Sequence, residues 1–439
     1  MKRHIFILLS IISGLLIACS ADYDYSPNIN TEDLSFITLS SSANEGTIGV
    51  NQEVKFMVTS DNSLDNNDIT SIATIYINNE PIQQDKYTFN QNGTYLIEAK
   101  IDNITSNQLN IKVANGDYYI TTSPEEAIIG QEVTFNLYNN AGENLTETAT
   151  FTINNSSISS NKYTSTENGT HQINTTINNN VVSASFNVFT PKRKIALEDY
   201  TGDWCGWCPR VLLVVDQVYE LTDDVVVLAI HKNDDMEASI TDHLITSFNV
   251  GAALPKLRAN RTENISVIQD SSIPEAVNYI TNIAGTETNI AIQIETKLSG
   301  DNLKVTTELI STETLPNSYK LAVYLYQDGL IYDQANYYNT LEGNPWYNQG
   351  NPIENFTHNH VLETNLTENS LGDNIETTPA FTSYKKEFPT INLANFAHTD
   401  NGNTYDPSRF GVAVFLVDEN NNALNAQSVK AGKKVEFKQ

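Results

Sequence analysis

The sequence predicts a multidomain chain of three all-β sandwiches and one α/β unit, and three observations predict it. The segment ATIYINNEPIQQDKYTFNQNGTYLIEAKI (Ala73 to Ile101) recurs as ATFTINNSSISSNKYTSTENGTHQINTTI (Ala149 to Ile177), with Lys86 and Lys162, then Gly93 and Gly169, each 76 positions apart. A strand, helix, strand pattern surrounds TGDWCGWCPR (Thr201 to Arg210), and from Asn289 onward apolar residues return to a period of two. At 439 residues the chain exceeds what one core sustains, since single cores stop growing near about 250 to 300 residues.

The first element is an address. Lys2, Arg3 and His4 precede an apolar run from Ile5 to Ala18, too short for the roughly 20 residues that a membrane-spanning helix needs, so it reads as a signal peptide. The run ends LIAC, which resembles a bacterial lipobox. That resemblance implies a lipoprotein signal over residues 1–19 and an acylated Cys19, anchored at about 0.8 kcal/mol per buried methylene. Residues 20–33 are acidic and without hydrophobic period, as a flexible tether is. Net charge of -28, from 53 acidic against 25 basic side chains, argues against a nucleic-acid or anionic-membrane surface.

The repeats define modules at 34–114 and 115–190, short alternating strands divided by Asn-Asn and Asn-Gly turns. Tandem modules of this size resemble bacterial immunoglobulin-like domains. Neither has a cysteine, a histidine cluster or a Gly-rich phosphate loop, so their expected role is spacing. The acidic DNSLDNND (Asp61 to Asp68) lacks the glycine and terminal glutamate of a calcium loop and reads as solvated.

Composition changes at TPKRKIALEDY (Thr190 to Tyr200), which opens an α/β unit over 191–286. PRVLLVVDQVYEL (Pro209 to Leu221) has apolar residues three and four apart, as a buried helix requires, and VVVLAI (Val225 to Ile230) is a continuous apolar strand covered on both faces. A second helix is expected near Met236 to Phe248, and a third at SSIPEAVNYITNIAG with Ser272 as N-cap and Pro274 in the first turn. Residues 287–439 read as a β-sandwich carrying an Asn- and Tyr-rich insertion, QANYYNTLEGNPWYNQGNPIENFTHNH (Gln334 to His360).

The paired cysteines admit three readings. As a strap, a four-residue loop gains only about 2 kcal/mol on the chain-entropy model, against about 3 for fifteen residues. As a zinc site, two thiolates lack partners: only His231 and His243 lie in this unit, and His358 with His360, placed on one strand face, lack an evident third ligand and read as surface histidines. No metal and no cofactor is therefore expected. As a redox pair, Cys205 at a helix start meets unpaired N–H groups and the positive helix end, which bring a thiol from about 8.5 into the ~3.5 to 7.5 range. Cys205 attacks, and Cys208 one turn later resolves the mixed disulfide. Trp207 presents an apolar face to a partner or packs on the helix start, and Arg210 further favours the thiolate.

WCGWC resembles the thioredoxin-like superfamily. The resemblance implies a shielding role for Trp204, a proton-accepting buried acid at Asp199 (or Glu198, if the strand faces the other way) and a cis-proline at Pro255, which with Trp204 and Trp207 would contact substrate. Gly206-Trp207 matches neither reductants nor oxidants of that family, which leaves direction open. From Lys192 to the end, HNHVLE (His358 to Glu363) and ALNAQSVKAG (Ala423 to Gly432) included, the chain resembles the outer membrane protein 28-related lipoproteins, implying an envelope location, outer-membrane anchored. Two functions are expected: thiol-disulfide exchange with exported polypeptides, or, without catalysis, surface binding or adhesion with a vestigial disulfide.

Overall fold

The structure, a computed structural model, describes residues 34–43, 46–60, 68–267 and 269–438. The expected signal peptide, Cys19 and the tether lie outside the described residues, as does most of DNSLDNND.

The two repeats fold alike. In the first, Ile37–Ser41, Gln52–Ser60 and Lys86–Phe89 form one sheet, and Thr47–Ile48, Leu109–Val113, Gly93–Ile101, Thr74–Ile77 and Glu80–Ile82 the other. The second repeats this order with Tyr118–Ser123, Glu132–Asn139 and Lys162–Thr164 in one sheet. Glu126–Ile128, Asn180–Phe189, Gly169–Ile177, Phe151–Ile153 and Ser156–Ile158 form its other sheet. Alternation supplies the cores: Val54, Phe56 and Val58 point inward in one module, Val133, Phe135 and Leu137 in the other. The Asn-Asn turns fold as a two-residue hairpin demands, with φ of 50° and 69° at Asn78 and Asn79, and 48° and 69° at Asn154 and Asn155. Both central residues need positive φ there, which asparagine tolerates better than most side chains.

Beyond Thr190 the expectation of a self-contained α/β thioredoxin-like domain is overturned. The molecule is nearly all β, 47% strand against 12% helix. The strand, helix, strand unit does form: Ile195–Thr201 and Val225–His231 pair in parallel, joined through helix α1 (Pro209–Tyr219). Its sheet, however, does not end with the unit. One nine-stranded sheet runs Glu263–Ile265, Lys256–Ala259, Ile195–Thr201, Val225–His231, Val361–Asn365, Lys320–Gln327, Phe410–Val417 and Ala423–Lys430, with Asp373–Asn374 added beside Lys320–Gln327. The edge that would close an independent domain is occupied by Val361, which pairs with Ala229. The apolar run VVVLAI marks a strand covered on both faces, but nothing local to it says which strand lies alongside.

Period two sorts this sheet into faces. Ile195, Leu197, Val225 and Val227 pack under α1 and α3 (Ile273–Ile283), where Val211, Val214, Val218, Val277 and Ile280 bury, each worth about 1.5–3 kcal/mol. Ala196, Tyr200, Leu228 and Ile230 face the other way with Tyr324, Phe415 and Leu244 of α2 (Thr241–Ser247). Farther along, Leu321, Val323, Leu325, Val412 and Val414 pack on a second, five-stranded sheet built on Ile290–Ser299 and Asn302–Ser311.

Candidate functional site

Cys205 and Cys208 form a disulfide at the start of α1, with Cys208 as its N-cap residue and Pro209 in the first turn. Tight turns build the approach: Cys205 N–H donates to Gly202 O at 3.0 Å, Cys208 N–H to Cys205 O at 3.0 Å and Val211 N–H to Cys208 O at 3.0 Å. Cys205 thus lies one turn ahead of the helix, where backbone N–H groups gather. Cys205 is nonetheless only 5% exposed and Cys208 1%.

Alternation places the two candidate acids on opposite faces. Asp199 shares its face with Ile195 and Leu197, the face that α1 covers; both of its oxygens are buried without a hydrogen-bond partner, and burial pushes its pKa up to about 8. Glu198 faces the opposite side, where its carboxylate accepts from Arg261 Nε at 2.9 Å and from Tyr200 Oη at 3.3 Å. Pro255 follows a cis peptide bond and directly precedes Lys256–Ala259, whose Lys256 pairs with Tyr200.

Both site tryptophans stand out from the surface. Trp204 donates its indole N–H to Lys232 O at 2.7 Å. Trp207 packs edge-on against the rings of Tyr337 and Tyr338, at 5.4 and 5.2 Å between centroids. Arg210 is committed elsewhere than the sulfurs: its guanidinium lies over Trp207, donates to Asp270 Oδ1 at 3.2 Å and to Val267 O at 3.1 Å.

Sequence reasoning missed the groups that hold this turn in place. Gln334, buried, donates from Nε2 to Asp203 O at 3.0 Å, Cys205 O at 3.1 Å and Ala335 O at 3.1 Å. Ala335 N–H reaches Asp203 O at 2.7 Å, and Tyr337 N–H reaches Gly206 O at 2.9 Å. Asp234 binds the same turn, accepting from Asp203 N–H at 2.8 Å, and also meets His231 Nδ1 at 2.7 Å and accepts from Met236 N–H at 3.0 Å. Burial alone would raise the Asp234 pKa; the bonds from His231 and from backbone N–H groups outweigh it and hold the carboxyl low. Gln334 opens the Asn- and Tyr-rich insertion, so composition flagged the segment, but a separation of 129 residues from Cys205 leaves no local signal of the contact.

His358 and His360 are neither surface groups nor a convergent pair. His358 is buried against His231 and Phe356, its Nε2 lacks a partner, and burial, with His231 nearby, pushes its pKa down to about 3. His360 lies between the strands, against Tyr219 and Tyr326, and pairs with Asp328 at 3.4 Å. His243 meets Ser370. Among the described residues, no group of three or more His, Cys, Asp or Glu could hold a metal ion.

Residues 241–435 match the family described as outer membrane protein Omp28. This is an outer-membrane protein of the cell envelope. The matched region contains the insertion over the cysteines and begins after the cysteines themselves. Similar solved structures include HBP35 of Porphyromonas gingivalis, at 18% identity and a TM-score of 0.42 over 56% of this chain and 77% of that one. Domains 5-6 of the S-layer protein SbsC match at 15% identity and 0.17 over 35% and 96%. The adhesin InvE of Yersinia pseudotuberculosis matches at 15% and 0.14 over 35% and 58%. No curated protein matches the chain. Among the described residues no helix is long and apolar enough to cross a membrane.

Proposed function

We propose that this envelope protein, anchored by lipid on Cys19, exchanges disulfides with exported polypeptides at Cys205–Cys208, and that its tandem sandwiches hold that site away from the membrane. The observation that carries the reading is the pairing of a closed disulfide at the start of α1 with a buried carboxyl, Asp199, that has no hydrogen-bond partner and whose pKa burial pushes up to about 8, on the sheet face beneath that helix.

A client thiolate attacks Cys205 Sγ. The bond between client and Cys205 forms as the Cys205–Cys208 bond breaks, and Cys208 leaves as a thiolate that takes a proton from the Asp199 carboxyl. A second client thiolate then attacks the client sulfur of the mixed disulfide and releases Cys205. Two electrons pass from the client dithiol to the protein pair. Starting from the reduced pair, the same steps run backwards and reduce a client disulfide, with Cys205 as the attacking thiolate stabilised by the helix start.

Burial of Cys205 favours a second reading, a closed structural disulfide in a surface binding protein. Insulin reduction by the full chain in a Cys19→Ser background separates the two. Exchange predicts activity that Cys205→Ser abolishes, and a mixed disulfide trapped with Cys208→Ser. Wild type indistinguishable from Cys205→Ser overturns exchange in favour of the structural disulfide.

A further inference from the structure

We infer that Tyr337, delivered from the C-terminal insertion, is both the shutter over the disulfide and the residue that selects clients bearing an exposed apolar side chain in an extended, unfolded segment. This rests on the exchange reading above.

The wall that carries Tyr337 is fixed. Gln334 is clasped to three carbonyls of the cysteine turn. Asn336 is buried and donates to Trp346 O at 2.9 Å and Gly350 O at 2.8 Å. Tyr338 is buried too, with its hydroxyl on Asp270. Between these anchors the Tyr337 ring stands half out in solvent, 52% exposed, with Trp207 as its ring contact. It sits so close over Gly206 that a Cβ there would lie 2.4 Å from the ring, which explains the glycine beside the first cysteine. The ring lies over the residue next to Cys205, and Cys205 is 5% exposed although Trp204 and Trp207 on either side of it are exposed. Attack on a sulfur needs an open approach, so the ring must swing away before exchange.

What displaces it follows from the surroundings. Trp204 and Trp207 are 46% and 41% exposed, and Trp207 meets Tyr337 edge to face. Leu341 and Tyr347, also exposed, follow on the same insertion. The cation over Trp207, Arg210, is already held by Asp270. An apolar client side chain laid on Trp207 replaces the tyrosine contact, so binding and uncovering are one event. Folded proteins rarely offer such side chains and unfolded ones do.

The test splits access from recognition, using the full chain in the Cys19→Ser background. In Tyr337→Ala, reduction of the disulfide by dithiothreitol should speed up several-fold, while the KM for insulin falls roughly 3- to 10-fold, the worth of the one edge-to-face aromatic pair that client binding no longer has to break. Tyr337→Phe should keep both wild-type values, because the ring and not the hydroxyl acts. Gly206→Ala, whose new methyl pushes the ring aside, should reproduce the faster reduction. A dithiothreitol rate and a KM both unmoved by Tyr337→Ala, or a Tyr337→Phe that behaves like the alanine, overturns the inference and leaves exchange standing. Binding of carboxymethylated insulin B chain, read by anisotropy, needs no redox step: tighter binding in Tyr337→Ala together with loss of binding in Trp207→Ala supports the inference even where exchange itself fails, and unchanged binding in both counts against it.

Discussion

The tandem sandwiches and the body that follows them differ in what they bury. In the modules, among the described residues, the buried titratable side chains are satisfied: Glu98 pairs with Lys100 at 2.7 Å, and His171 is bonded by Asn154 and Ser165. The body encloses an ion pair, Glu198 with Arg261, that no solvent reaches. It also encloses Asp199 and His358, each with buried polar atoms lacking partners. Burying an unsatisfied carboxyl costs stability, so a fold keeps one where something other than stability is served. The difference separates a region whose buried titratable groups are all paired from one that keeps unpaired ones.

The comparison breaks most easily at the ion pair. Arg261→Met leaves the Glu198 carboxylate buried without a cation and should cost about 3–5 kcal/mol in urea unfolding, with part of the loss recovered in the double variant carrying Glu198→Gln. The equivalent removal in the modules, Lys100→Met, should cost about 1 kcal/mol or less, because the Lys100 end of that pair is open to solvent.

Asp199 gives the next effect, through pH. Its pKa rises from about 3.9 in the unfolded chain to about 8 in the fold, so between those values the folded state holds a proton that the unfolded state has lost. The stabilising preference is whole below pH 4 and disappears as pH climbs to 8, at up to about 1.4 kcal/mol per pH unit. The stability difference between Asp199→Asn and wild type, followed by denaturant from pH 4 to 8, should therefore move steadily in favour of the variant; a flat difference would show that the carboxyl titrates as in water.

The smallest effect lies in the modules. Asn155→Ala places an ordinary side chain at φ of 69° and should cost about 1 kcal/mol, leaving disulfide reactivity unchanged. A change in dithiothreitol reduction from that substitution would count against the spacing role proposed for the modules.

Much of the site was readable from neighbours in the chain. The cysteine spacing, the helix after it, and the two acids before it are local patterns, and local patterns fix local structure. Which acid faces the helix was not readable, because a strand buried on both faces has no polar side to set its phase; the packing of Ile195 and Leu197 under α1 decides for Asp199. Gln334, Asp234 and Tyr337 escaped because each acts through a bond to a backbone carbonyl or N–H, which leaves no trace in the partner's identity. Even Gly206, read only as half of a redox-tuning pair, has a steric reason that lies 131 residues downstream by position, in Tyr337.

By itself, the sequence determined the repeated sandwiches, their asparagine turns and the existence of a cysteine pair at a helix start, since periodicity and φ preference act over a few residues. Only the tertiary structure decided that the strand, helix, strand unit is no separate domain. Val361 pairs with Ala229 through backbone groups that every residue carries, so the edge at which one sheet continues into another is set by which strands meet in space.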